Sequence, residues 1–76
     1  MRYCACDVAE FIIFYCHTVD LHISNLELQK LLYLVYKEYA KAGKECFNDK
    51  IEYWDCGPIF IDVYRKFKVY SGGNIP

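Results

Sequence analysis

The stretch that decides the fold is residues 24–43, which read SNLELQKLLYLVYKEYAKAG. Ser24 and Glu27 have the spacing of a capping box, in which the serine oxygen accepts a backbone N–H and the glutamate reaches back to the serine N–H. Gly43 is a natural stop, because glycine adopts the left-handed conformation that closes many helices. The sequence therefore predicts a helix over residues 24–42.

This predicted helix carries apolar side chains on nearly all of its sides. A wide apolar face consists of Leu28, Leu31, Leu32, Val35, Tyr36 and Tyr39. At about 100° per residue, the lysines align in a narrow stripe on the opposite side. The stripe consists of Lys30, Lys37, Lys41 and Lys44, flanked by Leu26, Tyr33 and Leu34. A helix of this kind is expected to be central, covered on two faces by the rest of the fold or by a partner.

A further helix is predicted on each side of the central one. The first covers about residues 4–18, and its apolar stripe is Val8, Phe11, Ile12, Tyr15 and Val19. Ile13 and Phe14 lie off that stripe, so they either pack against another element or face a partner. The last helix covers about residues 61–71, and its apolar side is Phe60, Val63, Tyr64, Phe67 and Tyr70.

Between the second and third helices the chain is predicted to be extended over Ile51–Trp54. Gly57 and Pro58 are expected to end that segment, since glycine permits unusual backbone angles and proline restricts its predecessor. Asn74, Ile75 and Pro76 are expected to form a tail. The predicted fold is mainly α, a small three-helix bundle with a short extended Trp-Gly-Pro segment between its second and third helices.

Composition favours a binding protein over a nucleic-acid-binding or catalytic one. The 76 residues are 55% hydrophobic and 18% aromatic, with a formal net charge of −1. A chain of this length buries only about 60% of the surface exposed by its unfolded form, so apolar side chains should reach the surface. The basic surplus typical of strong nucleic-acid binders is absent.

Cysteine and histidine do not form a recognisable chemical motif. The five cysteines contain no Cys-x-x-Cys pair, and they are interpreted as reduced thiols of a cytosolic protein, several of them buried. A zinc site of Cys4, Cys6, His17 and His22 is a weak alternative. Cys16 and His17 are neighbours on a helix and do not face each other. We therefore expect no enzyme activity, no cofactor and no metal.

The apolar run at residues 11–16 follows two acidic residues and is too short to span a bilayer, and it does not read as a signal peptide. These features predict a cytoplasmic protein without membrane association.

Three motifs together are similar to those of a known family. Residues 23–33, ISNLELQKLLY, resemble the signature (I)TNLKLQKLLY, and residues 51–60, IEYWDCGPIF, followed by Val63-Tyr64, resemble IEAW-x-x-GPV…VY. Asp7-Val8-Ala9 resembles the family's D-I/V-A start. Because the order and spacing are also kept, the chain resembles the N-terminal portion of the Panacea (SocA-like) antitoxin domain, over nearly its whole length.

The resemblance implies a cytosolic antitoxin-type domain, common in bacteria, phages and mobile elements, that neutralises a partner toxin by direct binding or escorts it to a protease. The matching positions are Asn25, Gln29, Lys30, Trp54, Gly57, Pro58 and Tyr64. Trp54 is expected to anchor the core, and Gly57-Pro58 to set the entry angle of the third helix. Residues 1–76 are interpreted as a single truncated domain, whose uncovered surface predicts a homodimer or an obligate complex.

Three functions follow as hypotheses. The first is an antitoxin-type module that binds a partner through the lysine stripe and its apolar neighbours, namely Lys30, Tyr33, Leu34, Lys37 and Lys41; the plainer interpretation of the lysines is a solvated surface. The second is a phage or mobile-element inhibitor of a host defence protein, similar to an anti-CRISPR. The third is a small nucleic-acid-binding regulator, supported only by the lysines and nearby tyrosines.

Overall fold

The computed structural model describes residues 4–44, 49–70 and 73–76. In chain order, the elements are helices α1 (Ala5–Thr18) and α2 (Asn25–Lys41), strands β1 (Ile51–Trp54) and β2 (Gly57–Phe60), and helix α3 (Ile61–Phe67). One turn of 3₁₀-helix follows at Lys68–Tyr70. The described part of the chain is mainly helical, as predicted, but a small antiparallel sheet accompanies the three helices, so it is not simply a three-helix bundle.

Helix α2 forms as its sequence predicts. The Ser24 hydroxyl accepts the Glu27 N–H at 3.3 Å, and the Ser24 N–H donates to Glu27 Oε1 at 2.9 Å, which completes the capping box. At the other end Ala42 caps the helix and Gly43 has a φ of +73°, the left-handed conformation expected of a stop. Since α2 contacts α1, α3 and β2, it is the central helix of the described fold.

Helix α1 has the predicted extent but not the predicted inward face. Ala5, Ala9, Ile13 and Cys16 are buried, whereas Phe11 and Tyr15 are 70% and 59% exposed. The two stripes have the same helical period, so periodicity could not choose between them. The small side chains of the buried stripe let α1 approach the core closely. Of the two residues left open, Ile13 joins the core and Phe14 is 72% exposed.

The extended segment turned out to be a β-hairpin. β1 pairs antiparallel with β2, from Ile51 opposite Phe60 to Trp54 opposite Gly57, around a two-residue turn. The prediction that Gly57 and Pro58 end regular structure was therefore wrong. Gly57 has a φ of +119°, which glycine adopts readily.

Pro58 fits this hairpin because its position requires no N–H. The Ile61 N–H donates to the Lys50 carbonyl at 3.3 Å. Lys50 and Ile61, which continue the register beyond Ile51 and Phe60, therefore form a hydrogen-bonded pair. Hydrogen-bonded and non-hydrogen-bonded pairs alternate along an antiparallel ladder, so Pro58 and Tyr53 form a non-hydrogen-bonded pair. A proline there removes no ladder bond.

Helix α3 is shorter than predicted. It starts at Ile61 as expected but gives way to 3₁₀-helix at Lys68, and Ser71, the predicted last residue, lies outside the described residues. Val63 and Phe67 are buried, Tyr64 is half-buried, and Tyr70 is exposed. The predicted apolar side is therefore confirmed in its first two turns and wrong at Tyr70.

The core lies where α2 meets the other elements. Its buried residues are Ala5, Ala9, Ile13, Cys16, Ile23, Leu28, Leu32, Phe60, Val63, Phe67 and Ile75. Trp54, predicted as the core anchor, is 39% exposed and packs edge-on against the Tyr64 ring, 5.0 Å between centroids. Phe60, fully buried, takes the role that sequence reasoning gave to the tryptophan.

The predicted tail belongs to the core as well. Ile75 is only 2% exposed, and its N–H donates to the Ile23 carbonyl at 2.8 Å. Asn74 pairs with Ser24 in an antiparallel bridge, and His17 Nε2 lies 3.3 Å from the Ile75 carbonyl oxygen. Residues 73–76 therefore pack against the segment that precedes α2 and hydrogen-bond to it.

A candidate protein-binding surface on the first two helices

One side of α2 is joined to the hairpin and to α3 by a buried chain of hydrogen bonds. The Phe60 N–H donates to Gln29 Oε1 at 2.8 Å, and Gln29 Nε2 donates to Asn25 Oδ1 at 3.2 Å. Asn25 Nδ2 in turn donates to the Tyr64 carbonyl at 3.1 Å. Because the Ile51–Phe60 pair is not hydrogen-bonded within the ladder, the Phe60 N–H is directed away from β1 and towards Gln29.

This series of hydrogen bonds connects the two sequence motifs that carry the family resemblance. Asn25 and Gln29 come from the first motif, and Tyr64 from the second, with the Trp54 ring packed on the Tyr64 ring. Trp54 Nε1 donates to Glu52 at 3.0 Å, and this bond is the main reason that the pKa of the Glu52 carboxyl lies below its ordinary value. These motif residues hold the fold together. Lys30, by contrast, is exposed.

On a different side of α2, an apolar groove runs between α1 and α2. It has a volume of about 320 Å³ and is lined by Phe11, Ile12, Tyr15, Cys16, Leu21, Leu31, Leu34 and Val35. Leu21 and Leu34 are 53% and 54% exposed, in addition to the exposed Phe11 and Tyr15. The sequence predicted that Leu34 would be at the surface but assigned Phe11 and Tyr15 to the core. Both residues lie on a regular apolar stripe of α1, and nothing in that stripe indicates that it faces outward.

The shape of the molecule explains why the groove is uncovered. The Cα atoms of the described fold extend over 34 × 29 × 16 Å. Packed helix axes lie about 8–10 Å apart, so the shortest dimension has room for two layers of elements and no more. The hairpin, α3 and the residues around Ile75 are used on the core side of α2. No described element is left to pack over the groove.

The predicted lysine stripe lies beside the groove. Lys30, Lys37, Lys41 and Lys44 are all exposed, as the stripe predicted. Lys37 Nζ lies 5.6 Å from the centre of the Tyr33 ring, and Lys41 pairs with Glu38 at 3.4 Å. Leu34 lies on the groove side of the lysines, and the half-buried Tyr33 on the other side, where its ring stacks on Tyr36. Whether Tyr33, Leu34 and the three lysines contact a partner remains a prediction.

The four residues of the alternative zinc site lie in two separate places in the described fold: Cys4 and Cys6 are at the start of α1, whereas the rings of His17 and His22 lie 6.4 Å apart near its end. Cys4, Cys6, Cys16 and Cys56 are free, and only Cys16 of these is buried; Cys46 lies outside the described residues. Burial raises the pKa of the Cys6 thiol, which makes it a poorer nucleophile at neutral pH. Within residues 4–44, 49–70 and 73–76, no three side chains of His, Cys, Asp or Glu gather as a metal site would require.

Comparison with known proteins shows a similarity to an antitoxin. Over 50 residues the chain is 42% identical to a protein of Caulobacter vibrioides named Antitoxin SocA. The chain resembles an antitoxin. The matched region covers 64% of this chain but only 27% of SocA, so the chain spans about a quarter of the length of its relative.

The similarity to SocA supports a relationship to SocA-like antitoxins in general. No protein-family model matches the chain, so the narrower assignment to the Panacea domain remains a prediction. No solved structure matches it either. Separately, no helix in the described part of the chain is long and apolar enough to cross a membrane.

Proposed function

We propose that the chain is a protein-binding module of antitoxin type, which neutralises or escorts a partner toxin by direct binding and has no catalytic activity of its own. The observation that carries this proposal is the exposed apolar groove between α1 and α2, in a chain that is 42% identical over 50 residues to an antitoxin. Apolar surface of this kind marks interaction sites in small proteins.

The groove offers the side chains that dominate binding energies. Phe11 and Tyr15 are aromatic, and large rings buried at the centre of an interface commonly supply much of its affinity. Fully burying one exposed Leu or Phe side chain contributes roughly 1.5–3 kcal/mol. Leu21 and Leu34 add further apolar surface to the same groove, and only the part of this gain that exceeds the cost of association appears as affinity.

The exposed lysines support the same proposal, because they would raise the rate at which an acidic partner associates. Lys30, Lys37 and Lys41 stand exposed beside the groove, in a chain whose net charge is −1. Exposed lysines attract an acidic partner surface and raise the association rate more than the affinity. This effect is screened by salt, since the Debye length is about 8 Å at physiological ionic strength.

The test is capture followed by neutralisation. The tagged chain is used to isolate proteins from cells that carry its gene, and each stoichiometric partner is expressed alone and together with the chain. We expect one partner to arrest growth alone and growth to recover when the chain is present. A chain that retains no stoichiometric partner, or whose partners are harmless, would contradict the proposal.

A matched pair of variants connects the function to the groove. Leu34→Asp places a charge in the groove, and Val69→Asp places one at a position that is 78% exposed and does not line the groove. We expect Leu34→Asp to lose both capture and growth recovery while Val69→Asp keeps both. Equal behaviour of the two variants would show that another surface binds the partner.

A further inference from the structure

We infer that the outer edge of β1 binds an extended segment of another protein, which joins the hairpin as a third strand. The outer edge consists of the backbone N–H and C=O groups of Ile51 and Tyr53, which point away from β2. The inference goes beyond the proposed function, because it concerns the hairpin and not the groove between α1 and α2. It is carried by the register of the hairpin and by the hydrogen bonds that block the edge of β2.

The register of the hairpin determines which backbone groups of β1 are already used. Glu52 and Trp54 belong to the hydrogen-bonded pairs of the ladder, so their N–H and C=O groups point towards β2. Ile51 and Tyr53 belong to the alternate pairs, so their N–H and C=O groups point outwards. Among the described residues, no hydrogen bond to these four outward groups is found. The outer edge of β1 therefore offers two donors and two acceptors in the arrangement that an extended chain needs.

The outer edge of β2 cannot bind a strand in the same way. Its two outward positions are Pro58 and Phe60. Pro58 has no N–H, and the Phe60 N–H is already bonded to Gln29 Oε1 at 2.8 Å. An added strand is held by main-chain hydrogen bonds to an exposed sheet edge, and β2 has no outward donor left to give. Within the described hairpin, the sheet can therefore be extended only at β1.

The side chains of β1 also suit an added strand. Three of its four residues, Ile51, Tyr53 and Trp54, are of types that favour strands. Tyr53 is 72% exposed and Trp54 is 39% exposed, and among the described elements β1 packs mainly against β2. Large side chains of an incoming strand can pack beside these rings, in addition to the main-chain hydrogen bonds. A sheet of only two strands also gains stability from a third.

The charge in the middle of β1 favours another protein over a second copy of the chain. Two antiparallel copies that use all four outward groups would place Glu52 directly opposite its counterpart, in a closely spaced pair that is not hydrogen-bonded. Like charges in that position destabilise a sheet. Glu52 already contacts Lys50 at 3.7 Å and Trp54 Nε1 at 3.0 Å. The incoming strand therefore needs no cation opposite Glu52 and only has to avoid a carboxylate there.

The experiment is a selection of displayed seven-residue peptides on the full chain. The peptides carry Val, Ile, Thr, Tyr or Phe at alternate positions and any residue between them. The selected peptide is then synthesised with N-methyl groups on alternate backbone nitrogens, in two versions that differ by one residue in phase. Only one set of N–H groups faces β1 in an added strand. We therefore expect one version to bind about tenfold or more weakly and the other to bind normally.

Hydrogen exchange of the native chain locates the contact. In the free chain, the amides of Ile51 and Tyr53 should exchange faster than those of Glu52 and Trp54, because only the latter donate within the ladder. Binding of the selected peptide should slow exchange at Ile51 and Tyr53 by about tenfold or more.

A pair of variants at one position separates the backbone from the side chain. Tyr53→Pro removes an outward N–H but no ladder bond, and it should weaken peptide binding by about tenfold or more. Tyr53→Ala keeps that N–H and should weaken binding less. Leu34→Asp changes the groove and not the hairpin edge, so it should bind the peptide normally. Circular dichroism checks that the three variants are folded.

The inference is overturned if the selection yields no peptide, or if the two methylated versions bind equally well. Unchanged exchange at Ile51 and Tyr53 on binding, or normal binding by a folded Tyr53→Pro variant, would also overturn it. A native chain that dimerises, with Tyr53→Pro a monomer, would show that a second copy covers the edge. If Tyr53→Pro does not fold, the methylated peptides and hydrogen exchange decide the question on the native chain.

Failure of the inference and failure of the proposed function can be distinguished. If the peptide binds at β1 as expected but no toxin is captured or neutralised, the strand-binding edge stands and the antitoxin function falls. If a toxin is neutralised but no peptide binds at β1, the antitoxin function stands and the inference falls. A peptide that is lost from Leu34→Asp and kept by Tyr53→Pro would lie in the groove, which also overturns the inference.

Discussion

The two sides of α2 differ in how completely the rest of the fold covers their side chains. On the side of Asn25 and Gln29, polar groups are buried, and within the described residues no buried side-chain N or O atom lacks a hydrogen-bond partner. On the side of Leu34, large apolar groups remain in water. The apolar pattern around the whole helix therefore has two causes: one side of α2 is buried in the core, and the other lines the exposed groove.

The largest expected effect comes from the same substitution on each side. Leu28 is fully buried, and Leu28→Ala should lower the free energy of unfolding by about 3 kcal/mol, since it leaves a cavity in the core. Leu34 is 54% exposed, and Leu34→Ala should change it by no more than about 0.5 kcal/mol. Urea unfolding followed by circular dichroism measures both. Similar losses at the two positions would mean that the groove is part of the folding core.

The next effect tests the buried hydrogen-bond chain. Gln29→Leu keeps the size of the side chain but removes the acceptor for the Phe60 N–H and the donor to Asn25. Because buried polar groups that lose a partner cost free energy, we expect a loss of roughly 2 kcal/mol in the free energy of unfolding. The exposed neighbour gives the control: Lys30→Leu should be nearly neutral. A stable Gln29→Leu variant would indicate that apolar packing alone joins α2 to the hairpin.

A smaller effect is expected where α2 begins. Ser24→Ala removes the hydroxyl that accepts the Glu27 N–H, and the loss of such a cap costs about 1 kcal/mol. The exposed Thr18 offers a comparison, because its hydroxyl bonds to the Phe14 carbonyl within a helix and does not cap an N-terminus. The midpoint of urea unfolding should therefore move for Ser24→Ala and barely move for Thr18→Ala.

The smallest effect is a dependence on pH at the same cap. The Ser24 N–H bonded to the Glu27 carboxylate lowers the pKa of that carboxyl below its ordinary value in the folded state. A lowered folded pKa means that the stabilisation is present above the unfolded pKa and is lost as pH falls through the folded one. Melting temperatures of the native chain and Glu27→Gln should therefore converge in acid. A constant difference across pH would exclude this linkage.

The local signals in the sequence predicted the helices well. The Ser24–Glu27 cap and Gly43 fixed both ends of α2 because their effects act within one helical turn. The hairpin was missed because Pro58 reads as a breaker, and only the pairing register shows that its position needs no N–H. Ile75 was missed because nothing local marks a residue that is buried by a segment far away in the sequence.

The candidate surface was predicted only on its α2 side. Leu34 and the lysines were identified because α2 has more apolar positions than one small core can cover. The α1 side was assigned inward, since Phe11 and Tyr15 are large and regularly spaced. The fold instead buries Ala5 and Ala9, whose small side chains allow close packing of α1. Which of two equivalent stripes faces inward depends on tertiary packing, and a single helix does not encode that choice.

The contact of Ile75 with Ile23 bears on how the chain folds. The Ile75 N–H bond to the Ile23 carbonyl joins the last described residues to the segment between α1 and α2, so it closes a loop that contains α2, the hairpin and α3. The entropy of closing such a loop is lost before the contact can form, whereas α1 and α2 meet through a short connection. We expect the pair of helices to assemble early and the Ile75 contact to lock late, so that Ile75→Ala mainly accelerates unfolding and leaves the folding rate nearly unchanged.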